Sequence, residues 1–180
     1  MNVLGLCGSL RKASTNQGLL RFARDNAPEG MNISLADISQ LPFYNADIVD
    51  RPESVTKFFH ELQNADALII ACNEYNYSLA PALKNALDWA SRETDNVLLD
   101  NKAVAIMGAG GGMGSSRAQY HLRQILVFLN MHPLNKPEVF VNAFAGTFDD
   151  QGNLTEIKIQ ENIKKQLAAL KKFSECLART

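Results

Sequence analysis

The 180-residue sequence predicts an α/β fold: a single domain over residues 1–180 with one doubly wound parallel sheet of five strands and helices on both faces. Three observations predict it. Apolar runs alternate with helical patterns along the whole chain. Three of those runs are apolar almost without interruption, as strands are when helices cover both faces of a sheet. Strict β–α alternation then demands right-handed crossovers between parallel strands. A chain of this length buries roughly 70% of its unfolded surface as one globule, whereas two domains would each be small.

The elements follow in order. The first strand is expected over 2–7 (NVLGLC) and its helix over 16–26, with Asn16 as a candidate cap. The second strand, 32–38 (NISLADI), alternates more, which suits a place near a sheet edge. The helix at 53–64 has Pro52 by its first turn, where a missing N–H costs little. The third strand is 67–72 (ALIIAC), and the helix at 80–92 opens on Pro81 with Ser78 upstream as a candidate cap. The fourth strand is 102–107 (KAVAIM), followed by a helix at 115–130 that Ser115 and Ser116 are placed to cap. The fifth strand is 138–142 (EVFVN). In the last helix, 155–177, Ile159, Ile163, Leu167, Leu170 and Phe173 recur at steps of three and four and read as core.

The formal net charge of −1 argues against a dedicated nucleic-acid binder, which is usually basic over one face. Cys7, Cys72 and Cys176 are odd in number and form no CxxC pair, so free thiols and a reducing, cytoplasmic setting are expected. A strand pattern starts at Asn2 where a signal peptide would lie, and no apolar run nears the ~20 residues needed to span a bilayer. A soluble protein without membrane association is expected.

In such a sheet ligands bind beyond the carboxyl ends of the strands, where the winding reverses. The loops after strands one, three and four should therefore carry the function. The first, GSLRKASTN at 8–16, offers Ser9, Arg11, Ser14, Thr15 and Asn16 at the start of a helix. Helix-tip N–H groups, hydroxyls and a planar guanidinium fork suit a terminal phosphate; a polar turn capped by Asn16 is the plainer alternative. Neither GxxxxGK[ST] nor GxGxxG is present, so a monophosphate fits better than a pyrophosphate. The second loop sets Asn73, Glu74, Tyr75 and Asn76 together, a mixture suited to a planar heterocycle or simply to packing on the next helix. The third has five glycines in the seven residues 108–114, so its backbone can approach a ligand closely or act as a flexible connector. His60, His121 and His132 have no consistent metal spacing, and no GxSxG occurs. Without a credible catalytic dyad, chemistry here would belong to a bound cofactor.

The stretches GSLRKASTN, EYNYSLAPALKNALDW and GGMGSSRAQYHLRQIL, in that order and spacing, resemble the NADPH-dependent FMN reductase family, whose members include quinone, azo-dye and chromate reductases. The resemblance covers nearly the whole chain. It implies a flavodoxin-like fold with strand order 2-1-3-4-5, bound FMN, and NADPH or NADH as electron donor to a small-molecule acceptor in a ping-pong, two-electron reaction. It implies that Ser9, Arg11, Ser14, Thr15 and Asn16 hold the FMN phosphate, and that Glu74, Tyr75 and Asn76 line the ring with Asn73 beside them. Gly108, Gly110, Gly111 and Gly112 would flank the ring's far side, with Ser115 and Arg117 near it. A homodimer or homotetramer is implied, with Tyr77, Trp89 and the apolar face of 122–131 as candidate contacts, although burial within the subunit explains them equally well. The family usually has proline where Asn73 stands, and bulkier residues at Gly111 and Gly112, which implies a looser flavin loop and a wider mouth. Two further readings are a flavodoxin-type electron carrier, usually far more acidic than this chain, and a redox-inactive nucleotide-binding module.

Overall fold

The computed structural model describes residues 1–179. In chain order, β1 (Asn2–Cys7) leads into α1 (Thr15–Asp25) and β2 (Asn32–Leu35) into α2 (Glu53–Gln63). β3 (Ala67–Ala71) leads into a small hairpin, β4 (Glu74–Tyr75) with β5 (Ser78–Leu79), and then α3 (Pro81–Ala90). A short 3-10 turn at Thr94–Asn96 precedes β6 (Ala103–Gly110), α4 (Ser116–Phe128), β7 (His132–Pro133), β8 (Val139–Asn142) and α5 (Ile157–Leu177).

The main sheet runs β2-β1-β3-β6, with β7 and β8 both on the far side of β6, and every pairing in it is parallel. The fold is flavodoxin-like, as expected, but the expected fifth strand is split. β7 pairs with Ala103 and Val104, whereas β8 pairs with Met107 to Gly110. Pro133 pairs with Val104 and Val139 with Met107, so between the two paired stretches this segment advances six residues where β6 advances three, and the ladder is interrupted there. Buried Gln166 of α5 fills the gap: its Nε2 donates to Ile106 O at 2.9 Å and to Pro137 O at 2.8 Å.

Side-chain alternation decides the two faces. Leu4 and Leu6 of β1, with Leu68 and Ile70 of β3, pack with Phe58, Leu62, Leu83, Leu87 and Leu122 of α2, α3 and α4. Val3, Cys7 and Ile69 pack on the other face with Leu19 and Leu20 of α1 and with Ile163, Leu167 and Leu170 of α5. The predicted stripe on the last helix is this contact, with Ile159 and Phe173 partly buried beside it. Each fully buried large aliphatic or aromatic side chain contributes about 1.5–3 kcal/mol.

Some local expectations are corrected. The second strand ends at Leu35 rather than 38, at the sheet edge. Ser78 does not cap α3, whose start makes no side-chain cap bond; it pairs with Tyr75 in the hairpin and lies 3.3 Å from His121 Nδ1. Ser115 occupies the cap position of α4 but with a left-handed backbone (φ 64°), and its hydroxyl accepts from Gln119 Nε2. Trp89 is buried within the subunit, donating from Nε1 to Pro42 O at 2.7 Å and meeting Tyr44 edge-on. Burial within the subunit accounts for it.

Candidate functional site

The winding reverses between β1 and β3, because α1 carries the chain outward to β2 and α2 carries it back past β1 to β3. At the carboxyl ends there, a cleft of about 370 Å³ is lined by Ser9, Arg11, Ser14, Thr15, Asn16, Asn73, Glu74, Tyr75, Ala109, Gly110, Gly111, Ala143 and Phe144.

At one end of the cleft, Ser14 caps α1 by accepting from Gln17 N at 3.3 Å. That leaves the Thr15 and Asn16 N–H groups at the helix tip, where the dipole favours an anion. Ser9 is buried, and exposed Arg11 has no ion-pair partner among the described residues. The Asn16 side chain behaves otherwise than expected. Its Nδ2 donates to Ala109 O at 2.9 Å and its Oδ1 accepts from Ala109 N at 2.9 Å. It ties the first loop to the end of β6, so only its backbone is free to meet a ligand. The expected cap, Asn16, is thus already inside α1, and Ser14 is the cap.

At the other end, the second loop is a hairpin turned by Asn76 and Tyr77, both at positive φ (49° and 67°). Glu74 is the one acidic side chain on the cleft wall, but its carboxylate turns away from the opening. Its Oε2 accepts from Ala118 N at 3.1 Å, at the start of α4, and its Oε1 lies 3.7 Å from Arg117 Nη1. Arg117 also stacks over Tyr77 at 4.2 Å. This group clamps the hairpin to α4. Asn76 and Arg117 therefore lie outside the cleft lining, as part of its support.

The third loop begins later than expected, since β6 runs through Gly110. Gly108 is strand, not loop: a Cβ there would overlap Ser115 Oγ and the Cys72 carbonyl. Gly108 and Ser115 thus pack the strand against α4 rather than line the cleft. Gly111 and Gly112 face open space, and only Gly111 is on the lining. Ala143 and Phe144, after β8, also line it, and the sequence reading passed over them. The signal was available, because a fifth parallel strand delivers its following loop to the same edge.

Burial of the thiols beneath the cleft pushes Cys7 up to about 11 and Cys72 up to about 12, so both stay neutral near pH 7. A hollow of similar volume, about 380 Å³, lies at the opposite end beside Met1, Asp66 and Ala103. It is at the amino ends of the strands, where parallel sheets do not gather ligand loops.

The cleft has an anion-seeking end without a free carboxylate and a flat end bounded by a hairpin and by residues lacking Cβ. Asn73, on its wall, is buried with both side-chain polar atoms unpartnered. A monophosphate joined to a planar, heteroatom-edged ring fits this donor set.

Comparison with known proteins agrees. The sequence profile of the NADPH-dependent FMN reductase family matches residues 1–146. An NAD(P)H-dependent FMN reductase of Pseudomonas aeruginosa is 50% identical, over 94% of this chain and 93% of its own. An NAD(P)H:quinone oxidoreductase of Solanum tuberosum is 48% identical, over 94% of this chain and 91% of its own. Among solved structures, a flavoenzyme NAD(P)H:(acceptor) oxidoreductase from Paracoccus denitrificans superposes with a TM-score of 0.84 at 29% identity, covering 95% of this chain and 97% of that one.

Proposed function

The chain belongs to the NADPH-dependent FMN reductase family, and from that premise we propose that it is an FMN-dependent NAD(P)H oxidoreductase that reduces quinones, azo compounds, metal oxyanions or free flavin by two electrons. The observation that carries this reading is the convergence of the donor-rich first loop and the hairpin on one cleft, with an unpartnered buried carboxamide on its wall. When bound, FMN supplies the redox chemistry, accepting hydride from the nicotinamide and passing two electrons to the acceptor.

The residues have separable tasks. Ser9, Ser14 and Thr15, with the Thr15 and Asn16 N–H groups, would hold the phosphate, and Arg11 would neutralise it. Asn73, Tyr75 and the backbone of 74–75 would bound the ring on one side, and Gly110 and Gly111 on the other. Glu74, Arg117 and Tyr77 keep the hairpin at fixed height against α4. None of these tasks needs an acid–base side chain. Residues 1–180 would act as one FMN-binding domain.

Exposed Tyr77, Tyr120, Val127 and Phe128 supply apolar surface on and near α4 that suits a homodimer or homotetramer. No helix among the described residues is long and apolar enough to cross a membrane. Three unpaired cysteines, two of them buried, accord with a reducing, cytoplasmic setting.

The test is the visible spectrum of the purified protein under anaerobic conditions. A flavin band that bleaches with NADPH or NADH and returns with a quinone is expected. A band that ignores both nicotinamides would instead indicate an electron carrier, and failure to take up added FMN would overturn the reading.

A further inference from the structure

Asn73 lies two residues beyond β3 and is 5% exposed, yet neither its Nδ2 nor its Oδ1 meets a hydrogen-bond partner among the described residues. A buried polar group left unsatisfied costs about 1–3 kcal/mol, and here both ends of one carboxamide are unsatisfied together. The neighbouring backbone makes room for it. A Cβ on Gly8 would strike Asn73 Oδ1, so the glycine that opens the first loop is also the seat of this side chain. The other heavy atoms nearest that Cβ position are the apolar Cβ atoms of Ala80 and Leu83, each at 3.3 Å. Asn73 also stands on the cleft wall, beside Glu74 and Tyr75, where a ligand could meet its amide.

We propose that the Asn73 carboxamide is a hydrogen-bonding partner of the flavin ring, with Nδ2 donating to a lone pair on the ring's heteroatom edge. The inference rests on the FMN reading given above. A donor and an acceptor held in one plane match an edge on which carbonyls flank an N–H. The phosphate already has its own donors in the first loop, whereas among the described residues the ring end of the cleft has no other unpartnered buried side chain. Lone pairs on the ring gain electron density on two-electron reduction, so a fixed donor favours the reduced form more than the oxidised one. Asn73 thus sets both how tightly FMN is held and how readily it is reduced.

The experiment uses apoprotein reconstituted with FMN. Fluorescence titration gives the FMN dissociation constant, and dye-equilibrated potentiometry gives the midpoint potential. Asn73→Ala is expected to weaken oxidised FMN binding by about tenfold, the scale of one net hydrogen bond. A further tenfold loss of preference for reduced flavin would appear as a potential lower by about 30 mV. Asn73→Asp, which keeps the shape but removes the donor and adds charge, should lower the potential further. Asn73→Leu separates ligand from scaffold: it should raise the melting temperature of the apoprotein, by removing the unsatisfied amide, while weakening FMN binding. Unchanged affinity and potential in Asn73→Ala would overturn the proposal. Weakened affinity at unchanged potential would overturn the ring contact, placing the amide on the ribityl chain. Wild-type protein that binds no FMN would defeat the FMN reading itself, a result distinct from either.

Discussion

The two ends of the parallel sheet hold hollows of nearly equal volume, about 370 Å³ and 380 Å³, but use their polar groups in opposite ways. At the amino end the groups answer one another. The Met1 ammonium donates to Gly30 O, Asn2 N donates to Asp66 Oδ2, and Lys102 Nζ donates to the carbonyls of Leu62 and Ala65. At the carboxyl end Arg11 has no ion-pair partner among the described residues, and Asn73 is unpartnered. Volume therefore says little about function. What distinguishes a binding end is the set of polar groups the protein leaves for something else.

Substitutions at the two ends should fail in different ways. The largest effect belongs to a buried carboxyl-end side chain whose donor and acceptor are both engaged. Asn16→Ala leaves a buried N–H and C=O of Ala109 without partners, and urea unfolding should show a loss of about 2–4 kcal/mol. Next, Arg11→Ala should weaken FMN binding by about 1.5–3 kcal/mol, measured by titration, with the urea midpoint unchanged. A shifted midpoint with unchanged affinity would erase the contrast. Lys102→Met reverses that pattern. It should cost about 1–2 kcal/mol of stability, because the carbonyls of Leu62 and Ala65 lose their donor, while FMN affinity stays as it was.

The smallest effect is in the pH dependence. Cys7 and Cys72 have folded-state values raised to about 11 and 12, so the folded chain holds their protons more tightly than the unfolded chain does. Their contribution is complete below about pH 8.5–9, the ordinary thiol range, and is lost as pH rises toward 11–12. Stability should fall by about 1 kcal/mol per thiol between pH 9 and 10, and Cys72→Ala should flatten the slope. Cys176, which is exposed between two residues of the amino-end hollow, supplies the matching contrast. A chromogenic disulfide should label it quickly in the native protein and reach the other two only on unfolding.

Much of this was legible in the residues. The apolar runs of β1, β3 and β6 reflect burial on both faces, and the density of donors after β1 marked the anion-seeking end. What escaped depends on partners distant in sequence. Asn16 reads locally as a cap, but its amide is taken by Ala109, on the other side of the cleft. Ser115 reads as a cap too, yet its backbone is left-handed and its hydroxyl serves Gln119. Gly108 reads as loop, whereas it is strand because α4 packs against its bare Cα. The hairpin of the second loop is set by Glu74 reaching α4, a contact without a local pattern.

The split of the last strand has a consequence for assembly. One rim of the sheet is β2, four residues long, and the other is two residues of β7 and four of β8, with a break between them. Neither rim presents a long run of unsatisfied backbone to a passing strand. Such short rims disfavour association by continuing one copy's sheet into the next, and so work against fibrous growth in a concentrated protein.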